Sequence, residues 1–168
     1  MIEADEVLRV LAALERAGCA VWIGGGWGID ALVGRVTRDH ADLDLLHRAE
    51  QEPAAIAALE ALGYTERLDG VLPGRPARFV MTAAGGRELD LHPLHFRPDG
   101  SAVQRLDDQG GAFTYPAAAF TEGTIKGVRV PCLSAAQQVE FHQGYQPRER
   151  DLHDMARLRE AYGIETHF

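Results

Sequence analysis

The chain has 168 residues, with 17 Lys or Arg against 25 Asp or Glu and a formal charge of −8. Its length and 46% apolar content fit one folded domain with a real core and argue against intrinsic disorder. The acid excess argues against nucleic acid as a partner, which needs Lys and Arg to neutralise phosphates, and against a polybasic membrane association.

Met1 to Glu6 is acidic, and Arg9, Glu15 and Arg16 interrupt the apolar positions that follow, so no secretory pattern is present. No apolar run approaches the roughly 18 residues of a membrane span. Cys19 and Cys132 lie far apart and form no CxxC, which predicts two buried free thiols in a reducing, cytoplasmic setting.

Val7, Leu8, Leu11 and Leu14 recur at helical spacing and Gly18 closes that helix. Ala20 to Ile23 reads as a short buried strand that runs into three glycines, followed by a helix over Trp27 to Val33 with Gly34 as its stop. Leu43, Leu45 and Leu46 interleave with Asp42 and Asp44, a strand pattern. Glu52 to Leu62 predicts a helix with Pro53 in its first turn and Gly63 at its end. Tyr64 to Leu68, Ala77 to Thr82 and Glu88 to Leu94 are strand-like, with a hairpin turn over Ala83 to Arg87 and a further turn at Pro98-Asp99-Gly100. Ser101 to Gly127 has no clear period. Val128 to Val130 reads as a strand, Ser134 as the cap of a helix to about Gln143, and Pro147 as the opening of a last helix ending near Gly163. This order predicts a mixed sheet covered by helices and a helical C-terminal portion.

The sharpest local feature is His40-Ala41-Asp42-Leu43-Asp44. On a strand, residues i and i+2 share a face about 7 Å apart, so Asp42 and Asp44 project together while Leu43 and Leu45 face the core. Two such carboxylates repel unless a cation lies between them, and Mg²⁺ takes oxygen ligands of this kind. Exposed alternation on a solvated strand gives the same pattern, so the pair alone is weak. A second alternating strand, Glu88-Leu89-Asp90-Leu91-His92, puts Glu88, Asp90 and His92 on one face. If the two strands are neighbours, Asp90 lies beside Asp42 and Asp44. Three converging carboxylates are costly unless a metal or a pair of metals compensates them.

Gly24-Gly25-Gly26 sits between a predicted strand and a helix. Glycines let a phosphate approach backbone N–H groups at a helix N-terminus, although a tight packing turn has the same sequence. The segment is neither a Walker loop nor GxGxxG.

Together these motifs resemble the nucleotidyltransferase superfamily, in which a strand ending in Gly-Gly precedes a strand bearing DxD and a later strand bearing a third Asp. Gly25 to Asp30 and Arg38 to Asp44 are similar to the antibiotic nucleotidyltransferases, the small lincosamide enzymes and the related aminoglycoside 2″-nucleotidyltransferases. Leu89 to Leu94, Gly110-Gly111, Val130 to Ser134 and Phe141 to Tyr145 extend the likeness over about residues 20–155. The basic stretch Pro147 to Arg150 and the Gly/Pro/Arg-rich stretch Leu68 to Arg78 depart from the lincosamide pattern, and acceptor contacts are expected in such places.

The resemblance implies an α+β, polymerase-β-like nucleotidyltransferase fold, with a catalytic core over 1–100 and a C-terminal portion over 101–168. It implies Mg²⁺-dependent transfer of AMP from ATP to a hydroxyl of a small cationic acceptor, with release of pyrophosphate. Asp42, Asp44 and Asp90 would hold two Mg²⁺ ions, and Asp90 is alternatively the general base. Gly25 and Gly26 would cradle the phosphates. Arg38 is the first candidate for contact with the triphosphate, with Lys126, Arg148 and Arg150 behind it. Trp27 and Tyr145 are candidates for stacking, with core packing as the alternative. His40 and His92 flank the carboxylates as orienting partners. A homodimer is a further implication. The competing reading is a non-catalytic or protein-modifying module of the same fold, of antitoxin type.

Overall fold

The computed structural model describes residues 1–68 and 75–168. Part of the Gly/Pro/Arg-rich stretch singled out in the sequence, residues 69–74, lies outside the described residues. Helix α1 (Ala4–Arg16) leads into strand β1 (Val21–Ile23), helix α2 (Gly25–Val33), strand β2 (Asp42–Arg48) and helix α3 (Glu52–Ala61). Strands β3 (Thr65–Glu66), β4 (Phe79–Ala83) and β5 (Arg87–Phe96) follow, then β6 (Ala102–Arg105), β7 (Ala112–Tyr115), β8 (Phe120–Ile125) and β9 (Val128–Leu133). Helices α4 (Ala135–Phe141) and α5 (Glu149–Tyr162) end the chain. The result is a mixed sheet flanked by helices, as expected.

The main sheet runs in the order β3-β4-β5-β2-β1-β9-β8, and the β6–β7 hairpin branches from the end of β5. Strands β2 and β5 are parallel neighbours, which sets Asp42 opposite Glu88 and Asp44 opposite Asp90. Strand β9 joins the sheet beside β1, with Ile23 opposite Cys132, so residues before and after 100 share one sheet.

Each face of the sheet has its own cover. Leu43, Leu45, Leu89 and Leu91 pack with Val7, Val10 and Leu14 of α1 and with Ala55 and Leu59 of α3. On the opposite face Leu46, Leu94 and Leu133 pack with Ala102 and Tyr115 of the hairpin. That second cover begins at Leu46, two residues past Asp44, which leaves the carboxylate end of β2 outside it. Helix α2 is apolar on more than one side because it is enclosed on more than one side. Trp27 and Ala31 join the sheet core, while Ile29 packs with Val139 of α4 and with Met155 and Leu158 of α5. Both cysteines are buried and free. No helix of the described residues is long and apolar enough to cross a membrane.

Several boundaries differ from the sequence reading for local reasons. Strand β9 continues to Leu133 through Pro131, which keeps its register opposite Glu122 of β8. The last helix begins at Glu149 rather than Pro147, with the Asp151 carboxylate accepting from the Arg148 N–H at 2.8 Å. The unreadable stretch 101–127 holds three short strands. Two of them form the outer hairpin, whose strands are only four residues long, too short for their alternation to stand out.

Helix α2 also crosses β8 at Gly123, where an added Cβ would run into the Ala31 carbonyl. Gly123→Ala should therefore push α2 off the sheet at a cost of about 1–3 kcal/mol. At roughly 2–4 °C per kcal/mol in a chain of this size, thermal unfolding should show a lower midpoint. An unchanged midpoint would contradict the close approach.

Candidate active site

The parallel register makes the site. Asp44 and Asp90 stand side by side on adjacent strands, and His92, two residues along β5, reaches the same spot. One ligand-type atom from each of these three lies within 4.8 Å of the others. His92 Nε2 is 3.3 Å from Asp44 Oδ1 and 3.6 Å from Asp90 Oδ1. Asp42 lies two residues before Asp44 on the same strand face and lines the same cleft. Glu88 shares the strand face but turns to Arg67, at 2.8 Å.

Burial and like charge act together on these groups. Asp90 is only 4% exposed, and burial pushes its carboxyl up to about 6, with Asp44 and Asp42 adding to the rise and His92 and Arg78 opposing it. Burial, then Asp44 and Glu88, also raise the Asp42 carboxyl. Arg78 binds Asp90 Oδ2 at 2.5 Å. Asp90 Oδ1 is buried and has no hydrogen-bond partner. An unpartnered, buried carboxylate oxygen beside a second carboxylate is a donor set that fits a hard divalent cation.

The glycine segment closes the site from the side of β1. Gly24 precedes α2 with no side-chain cap, so the first-turn N–H groups keep their capacity to meet an anion. Gly25 has φ +54°, and a Cβ there would overlap Asp44 Oδ2. Glycine is thus required both by backbone conformation and by the carboxylate beside it. Gln138 of α4 donates to the Gly25 carbonyl at 3.3 Å and fixes the turn from the far side.

Two compartments meet at Gly25, Asp44, Arg78 and His142. One, of about 490 Å³, is polar and is lined by Asp42, Asp90, Arg38, Arg148 and Arg150 among others. The other, of about 460 Å³, is walled largely by Leu46, Leu106, Tyr115, Leu133 and Phe141, with His92 and Gln104 at its polar edge.

The remaining sequence candidates divide. Gly26, Arg38, Arg148 and Arg150 come to the polar compartment. Arg38 is already engaged, donating to both oxygens of Asp154 at 2.8 and 2.6 Å and so tying α5 to the approach of β2. Asp154 therefore serves Arg38, not Arg148 or Arg150. Lys126 is not brought to the site: it sits at the β8–β9 turn and pairs with Asp5 at 2.7 Å. Trp27 is core, packed against His40 with ring centres 4.6 Å apart. Tyr145 is half exposed against Phe168. His40 turns to buried Asp30, at 2.5 Å, rather than to Asp42 or Asp44.

Sequence reasoning missed Arg78, Gln104, Tyr115 and His142. Alternation along β4 holds the signal for Arg78: Val80 is paired with Asp90, and Arg78 shares its face. Gln104 and Tyr115 lie on the hairpin that had no readable period. His142 follows α4 and accepts a place at both compartments, with Nδ1 2.6 Å from the Gln138 carbonyl.

The pH response of Asp90 is a direct test of its burial. Unfolded, it titrates near 3.9; folded, near 6. The folded state then holds the proton more tightly, and the resulting stabilisation is lost as pH rises through about 6. In metal-free protein, Asp90→Asn should gain in thermal midpoint over wild type as pH rises from 4 to 7.5. A gap that does not change with pH would contradict the assignment.

Comparison with known proteins gives a consistent result. The family model for aminoglycoside-2″-adenylyltransferase matches residues 6–158. A lincosamide resistance protein of Staphylococcus haemolyticus is 31% identical over 154 residues, which is 92% of each chain. A 2″-aminoglycoside nucleotidyltransferase of Klebsiella pneumoniae is 37% identical over 128 residues, 75% of this chain and 64% of that one. Among solved structures, the lincomycin-bound lincosamide antibiotic adenylyltransferase LnuA superposes with a TM-score of 0.84 at 30% identity, over 95% of this chain and 98% of that one.

Proposed function

The chain belongs to the aminoglycoside-2″-adenylyltransferase family, and from that premise we propose that it transfers AMP from ATP to a hydroxyl of a lincosamide or aminoglycoside acceptor, releasing pyrophosphate. The observation that carries this reading is the Asp44–Asp90 pair with its unpartnered buried oxygen, set beside the uncapped N-terminus of α2.

The reaction joins the acceptor oxygen to the α-phosphorus and breaks the bond to pyrophosphate. Its barrier is mainly one of charge and alignment. Asp42, Asp44 and Asp90 would hold Mg²⁺, which supplies neutralisation of the triphosphate charge. Arg148 and Arg150 of the polar compartment, with the N–H groups of Gly25 and Gly26, suit the phosphates. If Asp42 and Asp44 alone hold the metal, Asp90, whose carboxyl is raised by burial, is instead suited to take the proton of the acceptor hydroxyl.

The apolar compartment adjoins the carboxylates and suits the acceptor. Its leucine and aromatic walls favour an acceptor with carbon surface, hence a lincosamide over a polycationic aminoglycoside.

Incubation with ATP, Mg²⁺ and lincomycin, clindamycin or tobramycin, followed by mass spectrometry, tests the reading. An AMP adduct on a lincosamide is expected, and no adduct on any of the three would refute it. Asp44→Asn and Asp42→Asn should each lower pyrophosphate release by about 10²-fold or more. Full activity in both would end the metal proposal.

A further inference from the structure

His92 stands with Asp44 and Asp90 in a cluster whose geometry alone admits a metal ligand. The groups behind it decide otherwise. Gln104 is 7% exposed, and one side of its amide faces two partners: the Ala77 carbonyl at 2.8 Å and His92 Nδ1 at 3.2 Å. A carbonyl oxygen only accepts. The amide nitrogen must therefore face Ala77, and its second N–H meets His92 Nδ1. The amide oxygen, on the other side, accepts from the hydroxyl of Tyr115 at 2.7 Å, which agrees with this orientation. Tyr115 is 3% exposed, so its bond to Gln104 is buried.

Nδ1 of His92 is thereby an acceptor and carries no proton. In the neutral ring the proton lies on Nε2, which points at Asp44 Oδ1 at 3.3 Å. We infer that His92 is not a metal ligand but a fixed donor: Tyr115 and Gln104 hold it as the Nε2–H tautomer, and Nε2–H positions the Asp44 carboxylate. A protonated Nε2 has no lone pair to give a cation. The arrangement leaves Asp90 Oδ1 without a hydrogen bond, 3.6 Å from His92 Nε2. Gln104, Tyr115 and His92 are positioning residues for the carboxylates; the sequence offered His92 in that role, and Gln104 and Tyr115 were not legible in it. This deepens the proposed function and rests on it only where the metal is concerned.

The test begins without metal. In ¹⁵N-labelled protein, long-range ¹H–¹⁵N correlation should show His92 with a protonated Nε2 and an unprotonated Nδ1, assigned by the signals lost in His92→Gln. Protonated Nδ1 with bare Nε2 would overturn the inference. Gln104→Leu, checked for folding by its amide spectrum, should show a mixture of tautomers; an unchanged pattern would overturn the role of Gln104. Mn²⁺ then serves as the metal probe. Electron spin-echo modulation of the Mn²⁺-loaded wild type should show no directly bound histidine nitrogen, whereas such a nitrogen coupling would overturn the inference. Gln104→Leu should weaken Mn²⁺ binding about 10-fold. If wild type binds no Mn²⁺, the metal reading fails, and the tautomer measured without metal still decides the His92 assignment.

Discussion

The structure turns on one constraint: two carboxylates that the parallel pairing of β2 and β5 forces together. Asp44 opposite Asp90 is a fixed consequence of register, because a one-residue slip would turn Leu43, Leu45, Leu89 and Leu91 out of the core. The hydrophobic face therefore holds the acidic face in place. The leucines gain their burial only in the register that sets the like charges side by side. What surrounds the pair manages that charge: Arg78 grips one oxygen of Asp90, His92 meets Asp44, and one oxygen of Asp90 keeps no partner.

The rest of the fold can be understood as support for that arrangement. Helix α2 is held between the sheet and the pair α4–α5, so its uncapped first turn is rigidly aimed at the carboxylates. The Arg38–Asp154 pair joins the entry of β2 to α5 across most of the sequence. The β6–β7 hairpin covers the apolar part of the same sheet face and carries Gln104 and Tyr115 to the back of His92. The polar and apolar compartments meet where a phosphate would have to meet an acceptor.

Much of this was legible because two periods are strong. Asp42-Leu43-Asp44 and Glu88-Leu89-Asp90 alternate cleanly, and the strand–glycine–helix turn preceded them. Neither the neighbour relation of the strands nor the hairpin was legible. The pairing depends on chain topology, which alternation does not encode. The hairpin strands are four residues each, partly exposed, and flanked by polar turns, so their period is too short to stand out. Lys126 failed for another reason: a cation in sequence has no address until the turn that carries it is placed, and this one lies at the β8–β9 turn, paired with Asp5.

The central claim, that the β2–β5 carboxylates hold the cation that carries the nucleotide, is tested most directly by anomalous diffraction. Crystals grown with Mn²⁺ and a non-hydrolysable ATP analogue would be measured at a wavelength sensitive to manganese. A peak between the Asp44 and Asp90 carboxylates, with the triphosphate toward Gly25, is the result expected. Bound nucleotide with no manganese at those carboxylates would contradict the account.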